Sequence, residues 1–254
     1  MSNSIILIAA AFAFPIFFPT PCRGAESKPD EAIAFRTLCT ETRDQIVSVL
    51  PPKGNSGKIV VPLYVGSFSE LITAKFADHK AAFYGDGKQV KGKAGRKLMA
   101  EGPLASGSRQ VFIVVPAKED ADTIYRIHAF DDSDGVFPMG STRVLNLTPF
   151  PLRLNVAGTE QEPIESEGSA MYPICEDVDD WNMYKVGIDL KADGKQWQTV
   201  ATQSWKASDR KRDWVVVTYD AATKQPTIRL YQDVPPWMAV DLTPDGRKSA
   251  KERK

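Results

Sequence analysis

Residues 111–135 read VFIVVPAKEDADTIYRIHAFDDSDG. Val111 to Val115 is an apolar run, β-branched except for Phe112, the composition of a strand buried on both faces. Pro116 ends it, because proline cannot donate to a ladder. Ile124 to Phe130 has the make-up of a second strand, and Asp131-Asp132-Ser133-Asp134-Gly135 is a turn-rich loop that reads as a solvated turn. No sustained helical period links these segments, so the texture is β.

The same texture extends in both directions. Ile59 to Val65 is apolar on both faces and predicts a buried strand; Leu71 to Phe76 and Ala81 to Tyr84 follow. Downstream, Thr142 to Leu147 and Leu152 to Val156 flank Thr148-Pro149-Phe150-Pro151 as a hairpin. In its second arm Leu152, Leu154 and Val156 alternate with Arg153 and Asn155. Tyr184, Val186, Ile188 and Leu190 alternate likewise, and Asp193-Gly194 turns the chain into Trp197 to Trp205. Trp214 to Tyr219 and Thr227 to Tyr231 bring the total to about ten strands at short spacing, which predicts an antiparallel β-sandwich, Greek-key or Ig-like. The expected division is a lead-in at 26–57, short helix or extended, a sandwich at 58–236 and a basic, disordered tail at 237–254.

Residues 1–25 carry a different signal. Ile5 to Phe18, IILIAAAFAFPIFF, has no charge, and as a helix would span about 21 Å, short of the roughly 30 Å hydrocarbon core. Helix breakers and small residues follow, the layout of a cleaved secretory signal cut after Gly24 or Ala25. The n-region lacks Lys and Arg, so the competing reading is an uncleaved anchor. Export places the protein in the periplasm or outside the cell, without an integral membrane segment after cleavage. Cleavage also removes Cys22 and leaves Cys39 and Cys175, an even pair that an oxidising compartment could join; the alternative is two buried free thiols.

Composition narrows the function. Thirty-two Lys+Arg balance 32 Asp+Glu, which argues against a general electrostatic grip on nucleic acid. Three cysteines and two histidines leave little for a zinc cluster. Phosphate-loop, G-x-S-x-G and H-E-x-x-H motifs are missing, and no cofactor is expected. A serine triad would have to use His79 or His128. Placing Gly135 at the sixth position of a calcium loop puts Phe130 first and Ser141 twelfth, and neither is a carboxylate. Lys88 to Lys97 reads as a solvated basic loop.

All five tryptophans lie at the C-terminal end, and exposed rings on a sandwich can stack on sugars. Trp181, Trp197 and Trp237 are the candidate stacking residues; the competing reading puts Trp197, Trp205 and Trp214 in the core. A glycoside hydrolase stays open, because its two carboxylates need not be close in sequence.

Phe137-Pro138-Met139-Gly140-Ser141, after the Asp-rich turn, and Asn146-Leu147-Thr148, at a strand end, carry a resemblance. The segment resembles exported bacterial all-β proteins of unknown activity that share F-P-x-G-S…N-L-[ST]. The resemblance implies export and an all-β domain and brings no catalytic residue. On physical grounds Pro138 and Gly140 turn the chain beside Phe137, Ser141 satisfies backbone groups within the turn, and Asn146 bridges to a neighbouring loop. Asn146 also heads an N-glycosylation acceptor, relevant only in a eukaryotic secretory pathway. The expectation is a non-catalytic binding or scaffolding protein of the bacterial envelope, partnered by an envelope protein or polysaccharide. Its alternatives are a carbohydrate-binding module and a glycoside hydrolase or other hydrolase. Export is checked by N-terminal sequencing of protein expressed from the full chain: the mature end should be Ala25 or Glu26, and an intact Met1 in the envelope fraction would mean an anchor.

Overall fold

The computed structural model describes residues 32–41, 46–49, 58–90, 93–118, 121–192 and 194–238. The expected signal peptide, the loop at 53–57, Asp193 and most of the expected tail lie outside them. The described residues form sixteen strands and no helix, so the chain is all-β.

Eight strands make the first sheet: β1 (Ile33–Cys39), β2 (Ile46–Val49), β3 (Ile59–Pro62), β4 (Ile72–Ala74), β5 (Lys80–Val90), β6 (Lys93–Pro103), β7 (Arg109–Pro116) and β8 (Tyr125–Asp131). Their order is β3-β2-β5-β6-β8-β7-β1-β4. The chain beyond β3 returns to β1, where Cys39 bridges Val65 and the Cys39 amide donates to Tyr64 O at 3.0 Å. That contact brings the sheet close to a closed barrel, which is how a sheet disposes of its edges. Phe35 stacks on Phe112 inside it, ring centroids 4.7 Å apart, with Phe76 and Phe83 around them.

The other strands form two four-stranded sheets. One holds β9 (Thr142–Asn146), β12 (Ser169–Tyr172), β15 (Arg212–Asp220) and β16 (Gln225–Asp233), ordered β12-β9-β15-β16. The other holds β10 (Leu152–Val156), β11 (Thr159–Glu160), β13 (Met183–Leu190) and β14 (Gln198–Lys206), ordered β11-β10-β13-β14. Val144, Val215 and Val217 of the first sheet share a cluster with Leu152, Leu154, Val186, Ile188 and Trp205 of the second.

Alternation explains why β7 and β15 read as unbroken apolar runs. Phe112 and Val114 point into the barrel-like core, while Val111, Ile113 and Val115 point out to a third cluster. On β15, Val215 and Val217 face one cluster, and Trp214 and Val216 join the third. Both strands are middle layers, covered on each side. Trp214 is fully buried in the third cluster, edge-on to Phe130 and Phe137 at 5.1 and 5.2 Å.

The same layer carries four buried charges. Arg36 on β1 donates to Asp233 Oδ1 at 2.7 Å and to Asp132 Oδ2 at 2.9 Å. Arg212 on β15 donates to Asp132 Oδ1 at 2.6 Å, to Asp233 Oδ2, and to Phe137 O at 2.9 Å. Each of the four residues is at most 2% exposed. Burial alone would lower the Arg36 pKa, but hydrogen bonds and charge from Asp233 and Asp132 hold it above the ordinary value.

Several expectations need correction. Sixteen strands replace about ten, because strands as short as β11, two residues, and β12, four residues, are too brief to show a period. The pairings are not all antiparallel: β1 with β7, β6 with β8 and β9 with β15 run parallel. The segment expected as a lead-in holds β1, next to β7 within the sheet, and β2. β1 is covered on both faces, and Arg36 interrupts its apolar run. Ile59 to Val65 is not buried throughout, since Val60 is 51% exposed and the strand ends at Pro62. Within the expected loop at Lys88 to Lys97, residues 88–90 and 93–97 belong to the two arms of the β5–β6 hairpin. Asp132 is not solvated; it anchors the charge cluster.

Candidate functional site

β6 leaves β8 early. The two strands pair only at Ala100 with Tyr125 and Glu101 with Arg126, whereas β7 accompanies β8 along its whole length. Beyond this point β6 continues through Gly102 and Pro103 to Leu104, whose amide donates to His79 O at 2.9 Å. Gly102 passes so close that a Cβ there would stand 2.0 Å from Ile127 O, which excludes any side chain. The divergence opens a groove of about 850 Å³, with the 77–80 turn on one side and Glu167 on another.

Ladder alternation fixes which backbone groups face the groove. Asp132 N donates to Arg109 O and Ala117 N to Ile124 O, one at each end of the β7–β8 ladder. These bonds set the backbone groups of Arg126, His128 and Phe130 toward β7. Those of Ile127 and Ala129 then point the other way. Past Arg126 no strand among the described residues pairs with that side of β8. Ile127 O lies against Gly102, so the open part of this strand edge is at Ala129.

Charge and strain collect at the rim. Lys80 Nζ lies 3.0 Å from Glu101 Oε2, and Arg126 holds Glu167 with two hydrogen bonds of 3.2 and 3.3 Å. Both histidines line the groove. Asp78, His79 and Glu167 have φ of 55°, 51° and 63°, in the left-handed region that glycine occupies most cheaply. Lys80 N donates to Ala77 O across the first two, so they are the centre of a type I′ turn. Backbone of this kind costs of order 1–3 kcal/mol per residue and tends to cluster at binding sites.

His128 Nε2 is buried without a hydrogen-bond partner and lies 3.5 Å from Glu167 Oε2. Burial lowers its pKa below the ordinary value; Glu167 opposes that shift and Arg126 adds to it. The groove offers little for nucleophilic chemistry. None of its lining residues is serine or cysteine, and the Thr123 hydroxyl donates to Tyr125 O. Glu101 and Glu167 are ion-paired rather than set in apolar surroundings. No cluster of three or more metal-ligating side chains occurs among the described residues.

Apart from His79 and His128, the residues that stand out in the sequence lie elsewhere. Cys39 and Cys175 are free thiols: Cys39 Sγ donates to Glu41 O and Cys175 Sγ to Asp177 O. Cys39 is buried where β1 meets Val65, and Cys175 lies beyond β12 near the other two sheets, so the proposed pair is not joined. Burial pushes the Cys39 thiol up to about 11. The three candidate stacking rings have three separate settings. Trp181 is 78% exposed on the β12–β13 loop, and Trp197 lies under Arg153, 4.7 Å from its guanidinium. Trp237 lies against Arg36 and Arg109 and donates to Asp134. Trp205 and Trp214 are core.

The F-P-x-G-S turn sits on the charge cluster. Phe137 is fully buried under Arg212, Gly140 has φ +85° and donates to Lys211 O, and Ser141 Oγ donates to Pro138 O. The Asn146 amide donates to Phe150 O, Ile164 O and Glu165 O, and its oxygen accepts from Thr148. A fully buried amide with these partners cannot carry a glycan in the folded chain.

A pH signature follows from His128. Between its lowered folded value and the ordinary value of about 6.5, the unfolded chain binds a proton that the folded chain does not. Its contribution to stability therefore falls as pH drops through the ordinary value and levels off below the folded one. In an NMR titration, with His79→Gln to assign the signal, His128 should titrate below 6.5, and Glu167→Gln should lower it further. A midpoint at or above 6.5 would contradict this environment.

No protein-family model matches the chain, and no curated protein matches it either.

Proposed function

We propose that this chain is an exported binding or scaffolding protein of the bacterial envelope that holds an extended segment of a partner protein in the groove along β8. The open edge of β8 at Ala129 carries the reading, since main-chain groups facing a groove are what a bound strand needs. Leu104, Ala129 and Phe130 supply apolar contact, and the Lys80–Glu101 and Arg126–Glu167 pairs give both charge signs at the rim. Left-handed backbone at Asp78 and His79, where glycine would cost less, supports a binding role for that wall.

Export rests on the apolar run and breakers of residues 5–25. No helix of the described residues is long and apolar enough to cross a membrane. The two four-stranded sheets around one apolar cluster support reading that half of the chain as the β-sandwich. Sugar stacking has less support, because Trp197 and Trp237 already stack on arginines.

A photo-crosslinking side chain at Asp122, on the groove, should label one reproducible partner in an envelope extract. The same group at Lys224, on the β15–β16 turn, should label little. Ala129→Pro removes the groove-facing N–H, and should cut labelling at least fivefold while the circular dichroism spectrum is kept. Equal labelling from both positions, or labelling unaffected by Ala129→Pro, would refute the proposal.

A further inference from the structure

A second cavity, of about 150 Å³, lies between the two four-stranded sheets where Tyr172, Tyr184 and Trp205 come together. Tyr184 and Trp205 stand at 79° to each other with centroids 6.3 Å apart, as two adjoining walls. Tyr172 supplies a third ring, Val156 and Ile174 add apolar walls, and Thr142 and Gln161 add uncharged polar groups. A cavity of this size holds one benzene-sized group.

Its electrostatic character is specific. Among the described residues no Lys, Arg, Asp or Glu lines it. Arginines occupy the faces of Phe68, Phe130, Phe137, Trp197, Trp214 and Trp237 elsewhere in the molecule, but no cationic side chain enters this cavity. Behind Thr142 stands its register partner Asp213, whose Oδ2 is paired with Lys211 and whose Oδ1 is buried without a hydrogen bond. Three aromatic rings with no cationic side chain among the described lining residues favour a cation, and Val156 and Ile174 suit methyl groups on it.

We propose that this cavity binds the methylated ammonium head of a small organic cation. Ring faces attract such a head electrostatically, and its methyl groups suit the apolar walls. Burial pushes the Tyr172 hydroxyl up to about 12, so that wall acts as a neutral ring. Pro173-Ile174-Cys175 forms the mouth, through which the rest of the ligand would leave. A Cβ on Gly140 would stand 3.2 Å from Ile174, so the F-P-x-G-S turn supports this mouth from behind.

The probes are choline and its neutral isostere 3,3-dimethyl-1-butanol, titrated against the full chain by calorimetry and tryptophan fluorescence. Choline should bind saturably at one site, and the isostere at least tenfold more weakly. Tyr172→Leu should weaken choline about tenfold, while Tyr172→Phe, which keeps the ring, should not. In the unmodified chain, choline should slow iodoacetamide labelling of Cys175, a readout that does not depend on any variant folding. Equal binding of the two probes would make the cavity a simple apolar hole and overturn the proposal. Lack of saturable binding by choline or tetramethylammonium up to about 50 mM would do the same.

Discussion

Arg36 leaves the barrel-like sheet on β1 and meets Asp233, which ends β16 in a different sheet, while Arg212 and Asp132 close the ring. The four charges sum to zero, so the cluster is neutral as a whole. Each charge is dehydrated, and the geometry has to compensate. It does so with forked guanidinium contacts, with Phe137 over Arg212, and with Phe68 and Trp237 against Arg36. Whole clusters of this kind are often no more stabilising than apolar substitutes, but removing one member leaves a buried charge and costs about 3–5 kcal/mol. What the cluster supplies is a fixed docking of one sheet on another, beside Trp214 and the apolar cluster they share.

The groove inherits its shape from that docking. β8 ends in Asp131, and Asp132 follows it directly into the charge cluster. Glu167 comes from the loop before β12, so the Arg126–Glu167 pair spans the same junction. A shift between the sheets would move Glu167 off Arg126 and His128 and change the width of the groove. The aromatic cavity is less exposed to such a shift, because its rings belong to strands of the two smaller sheets.

Much of the β texture was legible, and the reasons for the misses are physical. Alternation in Leu152–Val156 and Tyr184–Leu190 marks one buried face each, and both are strands. Middle-layer strands lose alternation, so the unbroken run Val111–Val115 marks β7 as buried on both faces but does not say which cluster covers each. β1 was missed because Arg36 looks like a surface residue in a local reading; its partners are 96 and 197 residues away. A lone arginine inside Ile33–Cys39 was the available signal. The groove was illegible because it comes from two strands parting company, which no motif encodes. His79 and His128 were weighed as triad members, but nothing in the sequence placed them on one groove.

The docking of one sheet on another depends on Arg36 and Asp233 acting together across the junction. A double-mutant cycle with Arg36→Met, Asp233→Leu and the double variant, followed by urea unfolding monitored by circular dichroism and tryptophan fluorescence, measures that directly. Each single variant should be strongly destabilised and the double variant should recover part of the loss, giving a coupling of about 2 kcal/mol or more. Additive losses, with coupling under about 0.5 kcal/mol, would mean that the two sheets do not depend on this contact.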